Sequence, residues 1–211
     1  MTSTHWQAWH EPYADEDSEL SRRLRIVQQH IAAWLDRRPD EEVTVVSACA
    51  GQGHDLIGLL ATRPDACRVR ATLIEYDTGN VAAAQAAAGG AGLTNLVIRQ
   101  ADAGRLSSYA GVVPADLVLM AGVFGNISDA DVQRTINALP QLCAAGATVI
   151  WTRTRRTPDL TPAVREWLRV AGFVEEAFDA PEGARFSVGV HRFEEAPRPL
   201  RTMGRTFTFL H

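Results

Sequence analysis

The chain has 211 residues, 46% of them hydrophobic, and a formal net charge of −4. This size and composition predict one globular domain with a sizeable core, and the acidic balance disfavours nucleic acid or an anionic membrane as the main partner. All 21 basic residues are arginine, which excludes a Schiff-base lysine and a phosphate loop of the G-x-x-x-x-G-K-[ST] type.

No window of 18 apolar residues appears, and the first residues are polar and acidic, so we expect neither a transmembrane helix nor a secretory signal. These features favour a cytoplasmic location. Three widely spaced cysteines, Cys49, Cys67 and Cys143, predict reduced thiols. The six histidines are scattered without ligand spacing, so we predict no metal site.

Residues 1–40 are predicted to form an aromatic flap followed by a helix. The stretch "HWQAWHEPY" brings Trp6, His10 and Tyr13 close together. One interpretation is a flap over a ligand pocket, in which Trp6 contacts the substrate and His10 or Tyr13 acts as a general base. The alternative is that these aromatic residues fasten the first helix onto the sheet.

A helix is predicted over 19–36, with Ser18 as its N-cap and Pro39 after its end. Apolar residues recur at steps of three and four and form one face of this helix. They are Leu20, Leu24, Val27, Ile31 and Trp34.

Residues 41–211 are predicted to form one Rossmann-like unit in which strands and helices alternate. The predicted strands are 43–48, 69–77, 95–102, 115–124 and 146–154. The predicted helices are 55–62, 80–88, 129–143 and 161–172. Apolar strands separated by helices indicate a doubly wound α/β fold, with a parallel sheet covered on both faces.

The end of the chain has a different pattern. Residues 184–194 and 205–210 both alternate apolar and polar side chains, and no helix separates them. We expect an antiparallel strand pair that closes one edge of the sheet.

The turn after the first strand reads "SACAGQG", which leaves little side-chain bulk near Ala50, Gly51 and Gly53. A ligand can approach such a backbone closely, and the helix that starts near Asp55 offers free N–H groups. Glu75 ends the second strand, 22 residues after Gly53. An acid near that offset reaches both ribose hydroxyls of a bound nucleotide.

From about residue 40 to its end the chain resembles the class I S-adenosylmethionine-dependent methyltransferases. The family's V-L-D-x-G-x-G-x-G pattern corresponds to "VVSACAGQG", in which Gly51 and Gly53 match the last two glycines. Cys49 and Ser47 stand at the first glycine and the acid. The resemblance implies a seven-stranded, mostly parallel sheet with an antiparallel C-terminal pair, and S-adenosylmethionine as the cofactor.

The resemblance also implies roles for individual residues. Glu75 would hold the ribose, Tyr76 would lie against the adenine, and Asp102 would accept from the adenine amino group. Backbone or edge contacts would come from Ala50, Gly51, Gly53, Ala103, Ala121, Gly122 and Phe124. Simpler alternatives remain for two of these side chains: Tyr76 as a cap of the sheet edge and Asp102 as a turn residue. Asp55 is either a helix N-cap or a ligand contact.

The acceptor side is less specified. Phe124 and Asn126 are candidates to line the space between cofactor and acceptor, and Asn126 lacks the N-P-P-[YF] context expected for a nucleobase amino group. Arg153 and Arg155, in "WTRTRR", are candidates to bind a carboxylate or phosphate, or else form a solvated cluster with nearby acids. His54 is either a loop residue or a base.

The sequence therefore favours methyl transfer from S-adenosylmethionine to an O or N atom of a small molecule. A second hypothesis is an NAD(P)-dependent oxidoreductase, although a Tyr-x-x-x-Lys dyad is excluded because the chain has no lysine. A third is a methyltransferase-like binding module without catalysis. The sequence leaves open whether the protein forms a homodimer.

Overall fold

The computed structural model describes residue 15 and residues 18–210. The predicted flap, with Trp6, His10 and Tyr13, lies outside the described residues. Helix α1 spans Glu19–Asp36 as expected, and the Ser18 hydroxyl caps it by accepting the Ser21 N–H at 3.1 Å. The central and C-terminal part of its apolar face is buried, whereas Leu20 and Leu24 stay partly accessible.

A single seven-stranded sheet organises residues 18–210. Its strands are β1 Val43–Ala48, β2 Val69–Glu75, β3 Leu96–Gln100, β4 Ala115–Met120, β5 Cys143–Thr154, β6 Phe173–Asp179 and β7 Phe186–Phe193. Their spatial order is β3-β2-β1-β4-β5-β7-β6. Strands β1 to β5 pair in parallel, and β7 is antiparallel to both β5 and β6. The predicted fold class is confirmed.

Helices cover both faces of the sheet. Helices α1, α2 Ile57–Leu60 and α3 Thr78–Gly90 contribute to one hydrophobic core, and α4 Asp129–Ala138 and α5 Thr161–Val170 to the other. Both faces of the central strands are therefore apolar, which explains their nearly continuous hydrophobic sequences. No helix among residues 18–210 has the length and hydropathy needed to span a membrane.

The antiparallel pair exists, but the prediction named the wrong partner for residues 184–194. The partner is β6, whose register with β7 shifts between Glu175 and Ala177. This irregularity breaks the alternation that marks a strand in a sequence. Residues 205–210 instead make isolated bridges, Arg205 to Arg105 and Phe209 to Ile127.

The three largest overestimates of element length concern α2, α4 and β4. The helix expected over 55–62 is helical only at Ile57–Leu60, because hydrogen bonds from Thr62 and Arg63 to carbonyls three residues earlier tighten the chain before Pro64. The helix expected over 129–143 ends at Ala138 and continues as a 3₁₀ turn containing Pro140. Strand β4 ends at Met120, just before Gly122 takes a left-handed φ of 75°.

The sheet reverses its winding at β1. The connections from β1 lead to β2 and β3 on one side, and β4 pairs with the other side of β1. In open parallel sheets the carboxyl ends of strands at such a switch point form the ligand-binding crevice. The turn that follows β1 lies at this place.

Candidate functional site

The turn after β1 exposes backbone rather than side chains. Cys49, Gly51 and Gly53 have left-handed φ angles of 53°, 56° and 76°. The Ala50 N–H donates to the Ile74 carbonyl at 3.0 Å, which ties the turn to the end of β2. The small side chain of Ala50 and the left-handed Gly51 let a ligand approach the backbone closely.

Glu75, the last residue of β2, is held in one position beside this turn. One carboxylate oxygen, Oε2, accepts the Gly51 N–H at 2.8 Å, and Oε1 accepts the Asp77 N–H at 2.8 Å. The residue is only 8% exposed. Each oxygen has a further lone pair, so the fixed carboxylate can still accept hydrogen bonds from hydroxyl groups of a ligand.

Asp102 follows β3 and is also held by backbone. Its Oδ1 accepts the Gly104 N–H at 2.9 Å, and its Oδ2 accepts from the Arg205 guanidinium at 2.6 Å. The carbonyl of the neighbouring Ala103 accepts the buried Tyr109 hydroxyl at 2.9 Å. The Asp102 carboxylate is therefore held both by its own loop and by the C-terminal segment, residues 205–210.

These groups surround a cavity of about 540 Å³, within the usual size range of small-molecule sites. We call it the acidic cavity because four carboxylates line it: Asp55, Glu75, Asp77 and Asp102. Three arginines, Arg23, Arg105 and Arg205, also line it. The bend after β1 opens onto this cavity at Ala50 and Gly51 rather than being filled by neighbouring protein atoms.

Burial shifts the pKa values of three residues in the wall of the acidic cavity. Burial, with smaller effects of Glu75 and Asp102, raises the pKa of the Cys49 thiol well above its usual value. This thiol is therefore neutral near pH 7 and unsuited to act as a nucleophile. Burial also raises the pKa of Asp55 and lowers the pKa of His54, so that the His54 imidazole is neutral near pH 7.

A second cavity of about 240 Å³ lies at the carboxyl ends of β4 and β5. We call it the basic cavity because Arg23, Arg153, Arg156 and Arg185 line it together with one acid, Glu19. Arg23, Gly122 and Asn126 line both cavities, which are therefore neighbours.

The segment between the two cavities is fixed by hydrogen bonds. The Gly122 N–H donates to the Thr152 hydroxyl at 2.8 Å. The Asn126 side-chain amide donates to the Gly122 carbonyl at 2.7 Å. The backbone at the end of β4 therefore forms a firm wall on which both cavities border.

No protein-family model matches the chain, and no curated protein sequence matches it. Solved structures do resemble it. Magnesium protoporphyrin IX methyltransferase from Synechocystis PCC 6803, determined with bound SAM, superposes with a TM-score of 0.68 and 17% identity, covering 91% of this chain and 92% of that chain. The chain has the fold of class I methyltransferases.

Two further methyltransferase structures share this fold. An O-methyltransferase family protein from Burkholderia thailandensis has a TM-score of 0.60 and 14% identity, covering 90% of this chain and 69% of that chain. Precorrin-6y C5,15-methyltransferase from Geobacter metallireducens has a TM-score of 0.57 and 13% identity, covering 83% of this chain and 89% of that chain. The structural similarity establishes the methyltransferase fold. At such low sequence identity it does not establish the activity, which must be argued from the site.

Most of the predicted site residues line one of the two cavities. The acidic cavity is lined by Ala50, Gly51, Glu75, Tyr76, Asp102, Ala103, Ala121 and Gly122. Asn126 lines both cavities, and Arg153 lines the basic one. Tyr76 is 74% exposed, so its ring is free to cover a ligand at the mouth. Their roles toward a ligand remain predictions.

Three of the predicted site residues, in contrast, line neither cavity. Gly53 packs the turn onto helix α2: a Cβ there would lie 2.5 Å from Ile57 Cδ1. Phe124 is fully buried and packs against Trp151, with ring centroids 6.0 Å apart. Arg155 does not line either cavity and pairs with Asp159 at 3.4 Å.

Several lining residues were not predicted from the sequence. Arg23 and Leu24, in the first turns of α1, line the acidic cavity. The apolar face of α1 extends past its buried part to Leu24, and this could have indicated that Leu24 borders a cavity. Arg205 and Phe209 line the same cavity, but the alternation of "RTFTFL" equally fits an edge strand. Only long-range contacts place this segment.

Proposed function

We propose that this protein transfers a methyl group from S-adenosylmethionine to an oxygen or nitrogen atom of a small molecule. The observation that carries the proposal is the rigid carboxylate of Glu75, held by two backbone N–H groups beside a turn without bulky side chains, in the wall of a 540 Å³ cavity at the switch point. The methyltransferase fold supports it.

The wall residues suit such a cofactor. Glu75 would accept the ribose hydroxyls, Asp102 would accept the adenine amino group, and Tyr76 would cover the ring. Ala50, Gly51, Ala121 and Gly122 would border the remainder with their backbone. When bound, S-adenosylmethionine supplies an electrophilic methyl group, and the protein's part is to align the acceptor atom and exclude water.

The charge of the acidic cavity favours this cofactor over a dinucleotide. S-adenosylmethionine carries a sulfonium and is a net cation, whereas the pyrophosphate of NAD(P) is anionic and needs a free helix N-terminus. Here α2 is only four residues long, and the buried Asp55 lies just before it, where its Oδ1 accepts the Leu56 N–H at 2.8 Å. A carboxylate at this position repels a pyrophosphate.

A general base is needed only if the acceptor arrives protonated. We keep His10 and Tyr13 as the proposed bases and Trp6 as a proposed substrate contact, because the aromatic segment precedes α1, whose first turns border both cavities. We also keep the cytoplasm as the proposed location. The acidic composition supports a small molecule, rather than nucleic acid or a membrane, as the partner.

Thermal shift with S-adenosylhomocysteine, NAD⁺ and NADP⁺ tests the proposal. S-adenosylhomocysteine at about 100 times its Kd should stabilise the fold by about 2.7 kcal/mol and raise Tm by about 5–10 °C. A shift with NAD(P) alone would support the oxidoreductase instead. Binding of S-adenosylhomocysteine, with no such product formed from S-adenosylmethionine across a panel of acceptors, would support a binding module without catalysis.

A further inference from the structure

We infer that the basic cavity binds an anionic group, a carboxylate or a phosphate, of the methyl acceptor. The inference rests on the proposed function, because it assigns the second cavity to the acceptor of that reaction. Its basis is the charge and placement of Arg153, Arg156 and Arg185.

The guanidinium groups in this cavity exceed the acids available to neutralise them. Among the described residues, Glu19 is the acid in the wall, and it is engaged by Arg185 through the Arg185 N–H at 2.7 Å and its Nε at 3.4 Å. Asp129 pairs with Arg153 at 3.2 Å. Three of the guanidinium groups, those of Arg153, Arg156 and Arg185, thus face two carboxylates, which leaves an excess of positive charge around a concave space.

Arg156 carries most of this excess. Within residues 18–210 its guanidinium has no hydrogen bond or ion pair, although it lines the cavity. The preceding Arg155 shows the contrast: its Nε pairs with Asp159, and it does not line the cavity. Two adjacent arginines therefore have different environments, and the one that faces the cavity is the one without a protein anion.

Arg153 adds a fixed charge to the same wall. Its side chain is 12% exposed and is anchored by the Phe124 carbonyl and Asp129. Its Nε has no partner among the described residues. A guanidinium anchored in this way keeps its charge at one place, and arginine binds carboxylate and phosphate oxygens through paired N–H donors.

The basic cavity adjoins the acidic one, as methyl transfer requires. Gly122 and Asn126 form the shared wall, and Arg23 borders both spaces. An acceptor whose anionic group sits among the arginines would extend its nucleophilic atom across this wall toward the proposed cofactor. The two ends of the crevice would then select opposite charges: a cationic methyl donor on one side and an anionic acceptor on the other.

Matched pairs of acids and neutral analogues test this assignment. Benzoate is compared with benzamide, and phenyl phosphate with phenol, by calorimetry with and without S-adenosylhomocysteine. We expect one of the anions to bind at millimolar concentrations and its neutral analogue to bind much more weakly. Binding of benzoate alone would identify a carboxylate acceptor, and binding of phenyl phosphate alone a phosphate.

Variants decide whether the arginines are responsible. Arg156→Met should weaken anion binding about tenfold and leave the Kd of S-adenosylhomocysteine unchanged. Arg156 is exposed and has no partner within residues 18–210, so this variant should fold normally. Arg169→Met, which removes an exposed arginine paired with Glu166 on α5, is the matched control and should bind the anion normally.

The inference is overturned if neither anion binds, if the neutral analogues bind equally well, or if Arg156→Met and Arg169→Met behave alike. Failure of S-adenosylhomocysteine to bind would instead contradict the proposed function. The anion titrations without S-adenosylhomocysteine separate these two results.

Discussion

The acidic cavity and the basic cavity are neighbours, yet their walls are built differently. The acidic cavity consists of backbone, small side chains and carboxylates such as Glu75 and Asp102 that accept backbone N–H groups. The basic cavity has four arginines among its lining residues, of which Arg156 and Arg185 are exposed. The first wall is preorganised, whereas the exposed arginines of the second can still change position.

This difference has a physical cause. A carboxylate fixed by two N–H donors loses little entropy when a ligand arrives, and it discriminates by position. An exposed arginine must be ordered by its ligand, so it supplies charge more than geometry. Substitutions in the acidic cavity should therefore have the larger effects on affinity.

The largest effect is expected from Glu75→Gln. An amide cannot accept from both the Gly51 and Asp77 N–H groups, and it loses the charge proposed to bind the ribose. The variant should weaken S-adenosylhomocysteine binding by about 1–3 kcal/mol in calorimetry. Glu194→Gln, a change on an exposed acid outside both cavities, is the control. An unchanged Kd in Glu75→Gln would remove this residue from the site.

The next effect is expected from Gly104→Ala. A Cβ at this position would lie 2.2 Å from the Phe207 carbonyl oxygen and 3.1 Å from Asp102 Oδ1, so the C-terminal segment must move away from the cavity wall. We expect about a tenfold weaker Kd for S-adenosylhomocysteine and faster proteolysis near residue 205.

Gly89→Ala is the matched control for Gly104→Ala. An added Cβ at Gly89 has no atom within 4 Å, and the residue lies in α3. This control should bind normally and gain about 0.5–1 kcal/mol of stability, because alanine favours a helix. Equal affinities of the two variants would show that the C-terminal segment is not part of the binding wall.

A smaller effect is expected from salt. Raising NaCl from about 0.05 M to about 0.5 M should weaken anion binding in the basic cavity several-fold, because two of its arginines, Arg156 and Arg185, are exposed to solvent. Binding of S-adenosylhomocysteine, which has no net charge, should change little. Calorimetry at the two NaCl concentrations measures both Kd values. If salt weakened the binding of the anion and of S-adenosylhomocysteine equally, the proposed difference in charge between the cavities would be contradicted.

The smallest effect concerns the preference for the charged cofactor. Asp55→Asn removes one carboxylate from the acidic cavity and should reduce the preference for S-adenosylmethionine over S-adenosylhomocysteine about two- to fivefold. Burial raises the pKa of Asp55, so acidification protonates it before exposed acids and lowers the same preference. The ratio of the two Kd values against pH measures this. If the ratio depends on pH in the same way in Asp55→Asn and in the unchanged protein, the pH dependence comes from another group.

Sequence periodicity predicted the central parallel strands and the helices because their apolar patterns report burial on a sheet with two covered faces. It missed β6, because the shifted register between Glu175 and Ala177 interrupts the alternation. Local proline effects shortened α2 and α4. These errors concern where elements end, which depends on turns more than on periodicity.

The sequence by itself determined the fold class and the place of the turn and of Glu75, which line the acidic cavity. A turn rich in small residues and an acid at the end of the next strand are local features of the sequence. Parallel strands then bring their carboxyl ends together. Only the tertiary structure decided that Arg205 pairs with Asp102, that Phe124 is buried, and that Arg156 rather than Arg155 faces the second cavity. Those facts depend on contacts between residues far apart in the chain, which no short pattern records.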